Sequence, residues 1–200
     1  RVIIQENIRD SDDIDWGFAW GGNCYVGGLH TIYRLTFRHQ PFLDAQPRLV
    51  ARRGMFNHRC WEQHEGVVFL MDDEGPWAFA NEQVIPIDKQ IHDKWYDGTI
   101  DFTKSKWFSV DSDPLHEVIY FRVFFTGDSG TRPKRFFEYD IRNKRWNDGK
   151  LPWEIGGGAR VHISGQQRLI IGADNDEIYM VNEGTKDGTT ASGDVRVTVK

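Results

Sequence analysis

Hydrophobic positions along this chain fall in short runs of four to six residues, separated by polar turns. Glu65 to Pro86 shows the pattern most fully. Val67-Val68-Phe69-Leu70 is an unbroken apolar run, Asp72-Asp73-Glu74-Gly75 a polar turn, and Trp77-Ala78-Phe79-Ala80 a second apolar run. Asn81-Glu82-Gln83 then turns the chain into Val84-Ile85-Pro86. Runs this short, bounded by turn residues, predict strands rather than helices. Apolar residues at successive positions predict strands covered on both faces.

The run recurs. Val67, Val118 and Leu169 stand 51 residues apart, each opening an apolar strand. Each is followed by a polar turn and a second strand, Phe136-Phe137-Glu138-Tyr139 after the second and Glu177-Ile178-Tyr179-Met180-Val181 after the third. Cys24-Tyr25-Val26 occupies the comparable place in an earlier repeat, with Ile32 to Phe37 as its hairpin partner. Repeats of roughly 40–50 residues with several strands each predict propeller blades. The expected fold is all-β, a partial or truncated β-propeller of about four blades of short antiparallel strands. A sandwich is the competing all-β arrangement. Residues 1–200 read as one propeller-like segment.

Other segments fit between the blades. Ile87, Ile91 and Trp95 recur every four residues, Asp88 suits the first turn and Gly98 the stop, which predicts one short helix near 88–95 with Ile91 and Trp95 packed inward. Arg48 to Arg53 reads as a basic outer strand. Gly127 to Lys134 reads as a long exposed loop, and Trp146 as part of a fourth strand. Gly156-Gly157-Gly158 reads as a loop before Arg160-Val161-His162-Ile163; no Gly-Lys-Ser/Thr follows, so it is no phosphate loop. Asp10-Ser11-Asp12-Asp13 lacks the glycine and distal glutamate of a calcium loop and reads as a solvated turn. Residues 182–193 read as an exposed connector. Val2-Ile3-Ile4 and Val195 to Lys200 look like strands at the two ends, which predicts that both are cuts through a longer protein.

Composition narrows the function. Hydrophobic residues make up 39% and aromatics 14% of 200 residues, enough for a globular core. A formal net charge of −5 argues against a general nucleic-acid binder, which needs a basic face. Two cysteines, Cys24 and Cys60, are too few for a disulfide framework.

Candidate chemistry is sparse. His58, Cys60 and His64 form the closest metal-like cluster, short of a fourth ligand and a second thiolate. There is no Gly-x-Ser-x-Gly elbow. Asp73-Glu74-Gly75-Pro76-Trp77 falls one residue short of the Asp box of propeller glycosidases and occurs once. The expectation is therefore no catalytic residue, no metal, no cofactor and no enzyme activity. Candidate partner contacts are the basic residues Arg52, Arg53, Arg132, Lys134 and Arg135, because exposed loops on a rigid scaffold commonly carry contacts.

Several stretches carry a family likeness: Thr31-Ile32-Tyr33-Arg34-Leu35, Glu65 to Leu70, Glu74 to Phe79, Val84-Ile85-Pro86-Ile87, Phe137 to Ile141 with Trp146, and Ile178 to Gly184. In this order they resemble β-propeller virion proteins of tailed bacteriophages, among them tail hub or nozzle components. Pro76 departs from the valine or aromatic usual there, tolerable at a strand's start. The resemblance implies a structural part of the virion tail, assembled in several copies around the DNA exit channel. Its implied partners are other virion proteins and copies of itself, with DNA passing through a lumen without sequence-specific contact and no membrane. The alternative is a carbohydrate-binding or carbohydrate-cleaving propeller used in receptor recognition. Exposed aromatics on one face would support it, with Trp16, Trp20, Trp61 and Trp153 as candidates; packing between blades is the expectation for most of them.

Overall fold

The structure is a computed structural model that describes residues 12–39 and 43–182. The strand-like segments Val2–Ile4 and Val195–Lys200 and most of the 182–193 connector lie outside these residues. The described chain is nearly all β: four antiparallel sheets of the propeller-blade type. It divides into two compact units between Ile87 and Asp88.

In the first unit, β1 (Trp16–Trp20), β2 (Asn23–Gly27), β3 (Ile32–His39) and β4 (Leu43–Ala51) form one up-and-down sheet. β5 (Trp61–His64), β6 (Val67–Asp72), β7 (Gly75–Ala80) and β8 (Gln83–Pro86) form the next. Gly21-Gly22, Glu65-Gly66 and Asn81-Glu82 have positive φ at both positions, so these hairpins close through the mirror-image two-residue turns that match strand twist. β6 and β7 are buried at nearly every position, whereas β8 is mostly exposed. That gradient from a sheathed interior to a wet outer strand is the signature of a blade.

An aromatic ladder joins the two sheets. Phe18 stacks on Tyr25 at 5.2 Å and on Trp61 at 4.9 Å, and Tyr25 meets Phe79 edge-on at 5.7 Å. Trp16 is buried, and its Nε1–H is shared between the carbonyls of Gly28 and Met55, each at 3.0 Å. Trp77 donates to the Gly54 carbonyl at 3.0 Å. Arg34 and Arg48 face each other across β3 and β4, a like-charge pair. Glu82, in the β7–β8 turn, accepts from both and cancels that repulsion while tying the sheets together. The acidic stretch at the start also has structure at Asp12, whose carboxylate accepts from the His30 N–H and the Thr31 hydroxyl, both at 2.8 Å.

In the second unit, β9 (Ser109–Asp113), β10 (Val118–Val123), β11 (Arg135–Asp140) and β12 (Arg145–Lys150) form a four-stranded sheet, and β13 (Ile155–Ile163), β14 (Gln166–Ala173) and β15 (Ile178–Met180) a three-stranded one. β10 is buried at all six positions. Val118, Tyr120, Ile155, Leu169, Ile171 and Tyr179 form the core between the two sheets. The evenly spaced residues Val67 and Val118 open the second strand of their sheets, and Leu169 and Cys24 lie within the second strands of theirs.

Two expectations need correction. Gly156-Gly157-Gly158 belongs to β13, with a bulge between Ile155 and Gly157. Glycine is required because the Asp111 carboxylate of β9 lies against Gly158, and a Cβ there would sit 2.8 Å from Asp111 Cγ. The carboxylate is held by the buried Arg122 guanidinium at 3.1 Å. The helix near 88–95 is two pieces: a 3₁₀ turn over Asp88–Gln90 and α1 over His92–Tyr96, separated by Ile91. Asp88 does not cap α1; it is buried and bonds His92 Nδ1 at 2.9 Å. Ile91 and Trp95 are buried as the spacing predicts, and Gly98 follows at φ 84°. A further 3₁₀ segment, Phe102–Trp107, has no counterpart in the pattern-based reading.

Candidate binding surfaces

The basic loop of the second unit is pinned at both ends by carboxylates. Asp128 accepts from the Phe125 N–H at 3.1 Å and from Arg135 Nε at 3.1 and 3.2 Å, while its own carbonyl accepts from Lys104 Nζ at 2.8 Å. Glu154 accepts from the Thr131 N–H and hydroxyl at 3.1 and 3.0 Å and from the Arg132 N–H at 2.9 Å. Burial works to raise the Glu154 carboxyl, but the bonds from Thr131 and Arg132 outweigh it and hold it below the usual carboxylate range.

Arg132 lies over Trp107, its Cζ 3.9 Å from the ring centre, and Lys106 reaches the same ring at 5.3 Å. Arg135 covers Phe125 at 4.6 Å. The loop is thus a braced surface rather than a free tail. Arg132, Lys134 and Arg135 are all half-buried; Arg132 and Lys106 share the Trp107 ring, while Arg135 is engaged by Asp128 and Phe125. Trp107 carried no sequence signal, because it sits in a 3₁₀ turn with no periodic partner.

Arg52 and Arg53 separate. Both lie past the end of β4, and Arg52 is exposed. Arg53 turns inward and makes a forked pair with buried Asp72, Nε to Oδ2 at 2.8 Å and Nη2 to Oδ1 at 2.5 Å, and adds a bond to the Gly75 carbonyl at 3.0 Å. Asp72 also accepts from the Glu74 and Gly75 N–H groups, so it organises the β6–β7 turn. Burial pushes the Asp72 carboxyl up to about 6, against the downward pull of Arg53 and the Glu74 N–H.

The sign of the resulting pH dependence follows from proton counting. With a folded pKa of about 6 and an ordinary value of 3.8, the folded chain binds the proton more tightly between them. The Asp72 contribution is complete below the lower value and is lost as pH rises through the upper one. Urea unfolding of the chain and of Asp72→Asn, compared from about pH 4 to pH 7, is expected to show the gap between them changing by up to about 2 kcal/mol, with the native residue losing ground as pH rises.

The other candidates disperse. Cys60 is fully buried and His64 nearly so, while His58 is exposed. Among the described residues no group of three or more His, Cys, Asp and Glu side chains could hold a metal ion. Burial pushes the Cys60 thiol far above its ordinary range. Of the four tryptophans, Trp16 is buried, Trp61 packs on Phe18, and Trp153 stacks on Tyr179 at 4.2 Å with the rings nearly parallel. Trp20 packs against Tyr25 and Phe79, yet also lines an open groove of about 640 Å³ at the β1–β2 hairpin, together with Asn23, Cys24, Thr36, Phe37 and Gln63.

No family model matches the chain, and no curated protein does. Among solved structures it is similar to a chimera of ACO and RPE65, with 8% identity and a TM-score of 0.42, and to a point mutant of the Synechocystis apocarotenoid oxygenase, with 8% identity and a TM-score of 0.37. Each likeness covers 93% of this chain and 50% of the other, so the chain spans about half their length. The expectation that the chain is no enzyme is corrected by these neighbours, one of which is an oxygenase by title, and is withdrawn. At this identity and these TM-scores, nothing of their chemistry passes to this chain.

Proposed function

We propose that this chain is a building block of a bacteriophage virion, a tail hub or nozzle-type part assembled in several copies around the DNA exit channel. The observation that carries this reading is where the charged side chains work. Glu82 grips Arg34 and Arg48 across one pair of sheets, and the Asp111–Arg122 pair presses on Gly158 across another. Such ties, fixed in direction, add stiffness against sliding to the contact energy of packed rings. Stiffness is what a load-bearing ring requires. The residue likeness to phage tail propellers supports the same role. The net charge of −5 favours easy passage of DNA through a lumen, because like charges do not adhere.

The neighbours in this reading are other virion proteins and further copies of the chain, met through braced surfaces such as that around Trp107 and Arg132. No helix among the described residues is long and apolar enough to cross a membrane. Mass spectrometry of purified particles from the phage that encodes the chain is expected to find it at several copies per particle, and a low-resolution map to place it in a ring around the tail channel. Repeated failure to detect it in intact particles overturns the proposal.

A further inference from the structure

We infer that the groove at the β1–β2 hairpin is a binding site for a neutral glycan. All the side chains lining it are uncharged: the rings of Trp20 and Phe37, the amides of Asn23 and Gln63, the Thr36 hydroxyl, the Cys24 thiol and small or aliphatic neighbours. Charged residues form 28% of the chain, so a groove of this size without one is a selective surface. A phosphate, an acidic peptide or a polyanion would leave its charge without a partner here, and burying an unpaired charge is costly. A purely apolar ligand would strand the amides. A pyranose matches both halves: its C–H face lies on an aromatic ring while its hydroxyls exchange hydrogen bonds with amides and hydroxyls.

The geometry is prepared for this. Trp20 is held by Tyr25 at 6.0 Å and Phe79 at 5.7 Å, so its ring keeps one orientation while remaining half-exposed. Phe37 is 51% exposed, an unusual position for a large apolar ring on a strand. Asn23 is fixed by donating to the Gly21 carbonyl at 3.2 Å. A fixed ring and a fixed amide reduce the ordering needed on binding. This site stands independently of the virion role, since the groove lies within the first unit alone.

The test is a titration of the 200-residue chain with maltohexaose, cellohexaose, chitohexaose and a linear mannan, followed by tryptophan fluorescence and by NMR of indole and side-chain amide protons. Heparin and polyphosphate serve as charged probes. Saturable shifts at the Trp20 indole and the Asn23 and Gln63 amides with at least one neutral glycan are expected, with none from the charged probes. Phe37→Ala, at an exposed position, is expected to fold normally and to bind about tenfold more weakly. Gln63→Ala is expected to weaken binding as well. Absence of saturable binding to all four glycans overturns the inference, as does binding that Phe37→Ala and Gln63→Ala both leave unchanged, or saturation by the polyanions alone. Detection of the chain in particles does not depend on any of these outcomes.

Discussion

Replacing Asp111 with alanine is expected to cost the second unit about 3–5 kcal/mol, the largest loss from any single truncation in it. Arg122 is 3% exposed and its Nη1 lies 3.1 Å from the Asp111 carboxylate. Burial lowers the Arg122 pKa and Asp111 opposes that. Without the carboxylate, a buried guanidinium remains beside Tyr120 with its counter-charge gone. The truncation also opens space against Gly158. The urea midpoint of the second unit, followed by NMR, reads the loss. The double variant Asp111→Leu with Arg122→Met separates charge from packing: it is expected to recover most of the stability, because replacing a whole buried pair by apolar groups is far milder than orphaning one partner. Equal loss in the single and double variants would show that packing against Gly158, not charge, carries the cost.

The second large effect is expected at Gly54. Changing it to alanine places a methyl on the Gly28 carbonyl oxygen and 2.8 Å from the Leu29 carbonyl carbon. That obstacle is backbone, and it cannot step aside cheaply. The Gly28 oxygen accepts from the Met55 N–H at 3.2 Å and from Trp16 Nε1 at 3.0 Å, so displacing it breaks two buried bonds. The Gly54 carbonyl is itself committed to Trp77. A loss of about 3 kcal/mol in the first unit is expected, read by tryptophan fluorescence during denaturation. The near-UV circular dichroism of Trp16 and Trp77 should weaken in the folded variant, because both indole bonds hang on this segment.

Strands that announce themselves in this sequence are those whose own side chains supply the core. β6, β7, β10 and β11 were legible because Val68 to Met71, Trp77 to Phe79, Val118 to Phe121 and Phe137 with Tyr139 bury apolar groups in runs of strand length. Their even spacing worked because the second strand of each sheet has the same job. β9 was silent. Its sequence, Ser-Val-Asp-Ser-Asp, buries Asp111, Ser112 and Asp113, and their partners Arg122, His116 and Asn182 are distant or unremarkable in sequence. β13 reads as a loop for a related reason: one of its glycines, Gly158, makes room for the same carboxylate. Polarity bought by a distant partner looks like a loop until that partner is in view.

The candidate surfaces divide the same way. The loop basics Arg132, Lys134 and Arg135 stand out as a local cluster, whereas Trp107, which Arg132 covers, lies outside it in sequence. Arg53 looked equivalent to Arg52, and nothing local distinguishes them; Asp72, on another strand, draws one inward and leaves the other in water. The groove was invisible apart from Trp20, since Asn23, Thr36, Phe37 and Gln63 come from three strands and share only neutrality.

Cys60 carries a last implication. Its sulfur has no exposed surface in the closed fold, and burial keeps its proton on, whereas Cys24 is half-buried at the groove. An alkylating reagent therefore finds one thiol at rest and the second only during the moments when the first unit breathes open. The pair works as a built-in stopwatch: the lag between their modifications records how seldom the closed state lapses.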